Sequence, residues 1–156
     1  MIHGPDSHPA QDAAGHAGEN EGGVRVGLLV AGGRSRRIGV DKRFLVLEGQ
    51  TLLRRNVGFL HRLFPTVVVS VGVGQELDLG DLVGVELLPD AYPGASPLAG
   101  IVTALERFGA PVFALAADLA APDVSAAARV LAAFPGHDVS LPMASSACIC
   151  TRQPGP

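Results

Sequence analysis

From residue 24 onward, short runs of β-branched and aliphatic residues alternate with longer segments whose apolar positions recur every three to four residues. Residues 24–30 (VRVGLLV) are the first run; glycines bound them on both sides, as in a buried parallel strand. A short extended piece at 44–47 and a turn at Glu48-Gly49-Gln50 come next. Thr51 is a helix cap, and Leu52, Leu53, Val57, Leu60, Leu63 and Phe64 fall at helical spacing, so the pattern predicts a helix that Pro65 ends. Residues 66–71 (TVVVSV) read as a second buried strand.

The middle is less regular. A short helix is predicted within 75–83 and a short strand at 85–88, leading to Asp90. Ser96-Pro97 supplies a cap and a first-turn proline for a helix with Leu98, Ile101, Val102, Leu105 and Phe108 as its apolar face. Residues 111–117 form another buried strand, ending at Asp118. Asp123 or Ser125 opens a last helix through about residue 134, and 138–141 begin a further strand. Alternation at this spacing predicts an α/β fold, a three-layer, Rossmann-like, mostly parallel sheet. Ligands in such sheets bind beyond the carboxyl ends of the strands. A glycine-rich loop, Asp90 and Asp118 all occupy that position.

Before residue 24 the pattern is missing. Residues 1–23 are rich in Gly, Ala, His, Asp and Pro and cannot bury enough surface to offset ordering, so they read as a disordered leader; His3, His8 and His16 fall within it. They carry no basic region followed by an apolar stretch, and no run approaches the roughly 18 residues of a membrane span, so a cytoplasmic protein is expected. The chain has 156 residues, enough for one domain with a real core, and a net charge of −3. That charge argues against general nucleic-acid affinity, which needs a basic surface, but not against one small nucleotide held by a local basic loop. Cys148 and Cys150 form a lone C-x-C without the second ligand pair of a zinc site.

The loop after the first strand concentrates the chemistry. In VAGGRSRRIGVDK (30–42), Gly32 and Gly33 let the backbone approach a phosphate chain and turn its N–H groups inward. Ser35 adds a hydroxyl donor, and Arg34, Arg36, Arg37 and Lys42 supply charge for a triphosphate. No Gly-Lys-Ser/Thr closes the loop and the G-x-G-x-x-G spacing is absent, which excludes the commonest ATPase and dinucleotide sites.

AGGRSRRIGVDK (31–42) resembles the A-G-G-x-S-x-R-M-G-x-D-K signature of molybdenum cofactor guanylyltransferases, nucleotidyltransferases with a Rossmann-like fold. The resemblance continues through FLVLEGQTLL (44–53), the strand at 67–70, Asp90 with YPGASPLAGI (92–101), and Asp118. It implies transfer of GMP from Mg²⁺-bound GTP to a molybdopterin-type cofactor, with release of pyrophosphate. Carried over by position, Val30, Ala31, Gly32, Gly33, Ser70 and Asp90 contact the nucleotide. Arg37 and Lys42 bind phosphates, and Asp118 holds Mg²⁺, the only cofactor implied; Arg37, Lys42 and Asp118 are thereby the catalytic candidates. Mg²⁺ suits this, since it takes one or two carboxylates and keeps several waters.

Three departures stand out. Ile38 replaces the usual Met, Ser70 stands where some members carry Asn, and Ala120 stands where a proline commonly follows the metal aspartate, so a less rigid loop is expected there. The nucleotidyltransferase domain is expected over 24–142, and 143–156 (MASSACICTRQPGP) as an irregular tail. The family continues further, so the sheet is expected to be C-terminally incomplete, by truncation or frameshift or as a natural short form. Two alternatives stay open: a related enzyme using CTP or a sugar phosphate, and a non-catalytic nucleotide-binding protein.

Overall fold

The computed structural model describes residues 23–32, 42–80, 82–93, 96–142 and 148–153. Residues 1–22 of the leader, and Gly33 through Asp41 of the loop, therefore lie outside the described residues. The sheet is built from β1 (Val26–Val30), β4 (Thr66–Val71), β5 (Val85–Pro89), β6 (Val112–Ala116), β7 (Val139–Ser140) and β8 (Cys148–Thr151), in the order β5-β4-β1-β6-β8-β7. The first four are mutually parallel; β8 runs antiparallel to β6 and to β7. A separate two-stranded hairpin joins β2 (Val46–Leu47) to β3 (Gln50–Thr51). Its turn takes Glu48 and Gly49 through positive φ, 51° and 80°, the primed geometry that suits a two-residue hairpin loop.

Helix α1 (Leu52–His61) begins where predicted, with Thr51 Oγ1 accepting from the Arg54 N–H. Helix α2 (Pro97–Phe108) is capped by Ser96 and closed by Gly109 in the left-handed conformation, and α3 (Val124–Ala133) is capped by Asp123. One core joins α1 and α3 to one face of the sheet through Leu53, Val57, Leu60, Phe64, Phe113, Val130 and Phe134, with Phe64 stacked on Phe113 at 5.1 Å. A second core joins α2 to the opposite face through Leu28, Val68, Ile101, Ala104, Leu105 and Ala114. The three predicted layers are present. Among the described residues no helix is long and apolar enough to cross a membrane.

Three expectations are corrected. No helix forms among the described residues of 75–83; instead Asp78 Oδ1 accepts from the Gly80 N–H at 2.8 Å, a local turn that competes with helix. The inward face of α2 is Ala99, Gly100, Ile101, Thr103, Ala104 and Leu105, while Leu98 is 66% exposed. The small residues face inward because the helix crosses close above Ser70 and Asp90. Finally, the irregular tail is broken by β8, whose Cys148 and Cys150 bury themselves in the α1/α3 core while Ile149 packs on the α2 side. Burial raises both thiols, Cys150 to about 12.

Candidate functional site

Strand order makes the site. From β1 the chain moves to β4 and β5 on one side, then crosses by α2 to β6 on the other, so connections diverge at β1 and β6. A crevice forms at such a switch point, beyond the strand ends. Val30, the last residue of β1, pairs in register with Ser70 on β4 and Ala116 on β6. Beyond it, the Ala31 N–H donates to the Ser70 carbonyl at 3.0 Å, and the Ala117 N–H donates to the Val30 carbonyl at 3.1 Å. The Asp90 N–H donates to the Val71 carbonyl at 2.8 Å, which sets Asp90 beside the start of the glycine loop.

Two glycines flank the Asp90 carboxylate. A Cβ on Gly32 would stand 3.0 Å from Asp90 Oδ2 and 3.2 Å from the Gly72 nitrogen. A Cβ on Gly100 would stand 2.3 Å from Ser70 Oγ and 3.2 Å from Asp90 Oδ1. Asp90 is 5% exposed, and neither its Oδ1 nor Ser70 Oγ has a hydrogen-bond partner among the described residues. Burial raises the Asp90 carboxyl above its ordinary value. Thr103 braces the following turn: its Oγ1 accepts from the Ala91 N–H at 2.9 Å and donates to the Ala99 carbonyl at 2.8 Å. Burying polar atoms without partners is costly, and functional crevices are where that cost is tolerated.

Asp118 lies in the turn beyond β6, its side chain exposed, and no cation among the described residues pairs with it. A hard, exposed carboxylate at this place fits an Mg²⁺ ion that arrives with a triphosphate. No group of three or more His, Cys, Asp or Glu side chains gathers among the described residues. Lys42 opens a short 3₁₀ turn (Lys42–Phe44) and is exposed. Its neighbour Arg43 ties that turn back to the strand end, Nη1 donating to the Ala31 carbonyl at 2.8 Å.

The fold thus brings Val30, Ala31, Gly32, Ser70 and Asp90 together, and sets the Asp118 turn against Val30. Lys42 is connected to them through Arg43. Gly33 and Arg37 lie outside the described residues. Sequence reasoning passed over Arg43, Thr103 and Asn56; for Asn56 the signal was an amide placed among the apolar positions of α1.

Comparison with known proteins bears on the family. The MobA-like NTP transferase domain matches residues 27–150, which takes in every described site residue and most of β8. A probable molybdenum cofactor guanylyltransferase of Pelotomaculum thermopropionicum is 39% identical over 79 residues, covering 51% of this chain and 37% of that protein. A molybdenum cofactor guanylyltransferase of Rhizobium rhizogenes is 41% identical over 79 residues, covering 50% and 35%. The match spans little more than a third of the length of these two relatives. Among solved structures, a 2-C-methyl-D-erythritol 4-phosphate cytidylyltransferase from Thermus thermophilus superposes with a TM-score of 0.54 at 26% identity, covering 74% of this chain and 52% of that one. A homologue of Mycobacterium tuberculosis Rv0371c from Mycobacterium sp. strain JC1 shares the fold, with a TM-score of 0.59 at 23% identity, covering 82% and 69%. Strand order, Ala31 and Gly32 at the switch point and a domain match over most of the chain lead to one assignment: the chain belongs to the MobA-like NTP transferase family.

Proposed function

We propose that the chain binds Mg²⁺–GTP at the carboxyl ends of β1, β4 and β6 and transfers GMP to a molybdopterin-type cofactor. The observation that carries this reading is the gathering of Ala31, Gly32, Ser70 and Asp90 at one strand edge, with the Asp118 turn docked on Val30. A desolvated carboxylate short of donors suits a ligand rich in N–H groups. Guanine offers N1–H and an amino group side by side, whereas cytosine offers one amino group.

In the reaction, an oxygen of the acceptor's terminal phosphate forms a bond to the α-phosphorus of GTP. The bond from that phosphorus to the bridging oxygen breaks, and pyrophosphate leaves with the electron pair. The nucleophile is already ionised at neutral pH, so no general base is required. The protein's task is alignment and neutralisation of two polyanions. Gly32 and Gly33 present backbone N–H groups to the phosphates, Arg37 and Lys42 offset their charge, and Ser70 and Asp90 seat the nucleoside. Asp118 would hold the Mg²⁺, which supplies further neutralisation on the triphosphate when bound. The reading includes a cytoplasmic setting, where GTP is available.

The test is a titration with GTP, CTP and ATP in Mg²⁺, followed by measurement of pyrophosphate release on adding molybdopterin-type cofactor. GTP preference with release supports the reading. Equal or better binding of CTP would favour a cytidylyl transfer like that named for the Thermus neighbour, and GTP binding without release would indicate a non-catalytic nucleotide-binding protein.

A further inference from the structure

Asn56 sits on the buried face of α1 among Leu52, Leu53, Val57, Phe59 and Leu60, and is itself 0% exposed. Asparagine is a weak helix former, and its amide loses hydration on burial, so packing alone favours an apolar residue here. The amide is directed at a single segment. Its Nδ2 donates to the carbonyls of Ala117 and Leu119, each at 3.1 Å. Those two carbonyls lie immediately before and after Asp118.

The amide can face only one way. Turned over, Oδ1 would meet two carbonyl oxygens, acceptor against acceptor. The turn also has backbone anchors, Ala117 N–H to the Val30 carbonyl and Leu119 N–H to the Ala116 carbonyl at 3.3 Å. Those bonds fix N–H groups and leave both flanking carbonyls to Asn56. Leu119, Ala120 and Ala121 contain no proline and no side-chain donor that would stiffen the turn from within. The backbone on both sides of Asp118 is therefore also held from α1, across the core.

We infer that Asn56 is a positioning residue, holding the Asp118 carboxylate where nucleotide-borne Mg²⁺ is taken up. This rests on Asp118 being the Mg²⁺ ligand of the proposed function. A metal ligand whose orienting partner is removed typically loses about 10–100-fold in metal affinity. The remaining carboxylate still carries its charge, so the loss is one of orientation.

The test compares GTP affinity in excess MgCl₂ and in EDTA for the parent chain, Asp118→Ala, Asn56→Leu, Asn56→Ser and Val57→Ala. The parent binds GTP more tightly in Mg²⁺, and Asp118→Ala loses that gain, which checks the underlying reading by itself. Asn56→Leu keeps the parent's affinity in EDTA and gives up about tenfold of the Mg²⁺ gain. Asn56→Ser retains one hydroxyl donor, loses less of the gain, and serves as the informative variant should Asn56→Leu fail to fold. Val57→Ala thins the same helix face, lowers the thermal midpoint and leaves the gain intact. Asn56 variants that keep the full gain while Asp118→Ala loses it would overturn the inference and leave the Asp118 assignment standing. Equal loss in Val57→Ala, or an Asn56→Leu loss as large in EDTA as in Mg²⁺, would also overturn it. A parent chain with no Mg²⁺ gain removes both.

Discussion

Gly32 and Asp90 approach so closely that a single methyl group added to the glycine would stand 3.0 Å from the carboxylate Oδ2. The Gly72 backbone nitrogen is 3.2 Å from the same point and cannot swing aside, so the Asp90 carboxylate is the group that must give. Gly32→Ala is accordingly expected to push Asp90 or the loop out of place. GTP affinity should fall about tenfold or more, while thermal stability drops by the modest amount typical of overpacking, about 1–3 kcal/mol. Calorimetric titration beside a melting curve separates the two effects; unchanged affinity would place the nucleotide elsewhere.

Gly100 tests the other side of the same carboxylate. A Cβ there would sit 2.3 Å from Ser70 Oγ and 2.8 Å from Ser70 Cβ, which no pair of side chains sustains. Gly100→Ala should destabilise the fold by about 1–3 kcal/mol in urea denaturation. Combined with Ser70→Gly, much of that loss should be recovered, because the obstructing atoms are gone. Strictly additive losses in the double-mutant cycle would contradict the contact.

Asp90 also makes a pH prediction. Burial raises its carboxyl above the ordinary value of 3.8, so the folded protein holds this proton more tightly than the unfolded chain. Its ionisation therefore opposes folding: the penalty is full above the raised pKa and fades as pH falls toward 3.8. Asp90→Asn should melt higher than the parent at neutral pH, with the difference shrinking as pH approaches 4, while GTP binding is lost. A variant that melts lower at neutral pH would show that the carboxylate has stabilising partners after all.

In the proposed function Lys42 and Asp118 divide the triphosphate between them. Lys42→Ala should weaken GTP, CTP and ATP alike, since it meets phosphates common to all. It should also flatten the salt dependence of binding. Fluorescence titration at two ionic strengths reads both quantities. Full retention of affinity and salt slope would remove Lys42 from the site.

The strands were legible because β-branched runs such as TVVVSV are unambiguous, and the caps at Thr51, Ser96 and Asp123 were legible from residue type alone. Asp90 and Asp118 stood out by following strands. What the pattern hid has common physical roots. Asn56 looks like a blemish in an apolar stripe until its carbonyl partners, 61 and 63 residues away, are known. The rotation of α2 depends on Ser70 and Asp90 crowding its underside, so the larger Leu98 and Val102 face outward while Ala99 and Gly100 face inward. Strand β8 is four residues long and gains its identity from its neighbour β7 and from β6, which lies on the far side of α3 in the chain. Local propensity cannot report a partner that the chain reaches only by closing on itself.

That late strand also orders the assembly of the molecule. Among the described residues strand β7 pairs with β8 alone, so it must wait for residues that leave the ribosome after it. Until Cys148–Thr151 arrive, β6 offers a bare row of amides and carbonyls to any extended chain nearby. The parallel strands β1, β4 and β5 can zip together well before that moment, so synthesis passes through an interval when that half of the sheet exists and the opposite edge is open.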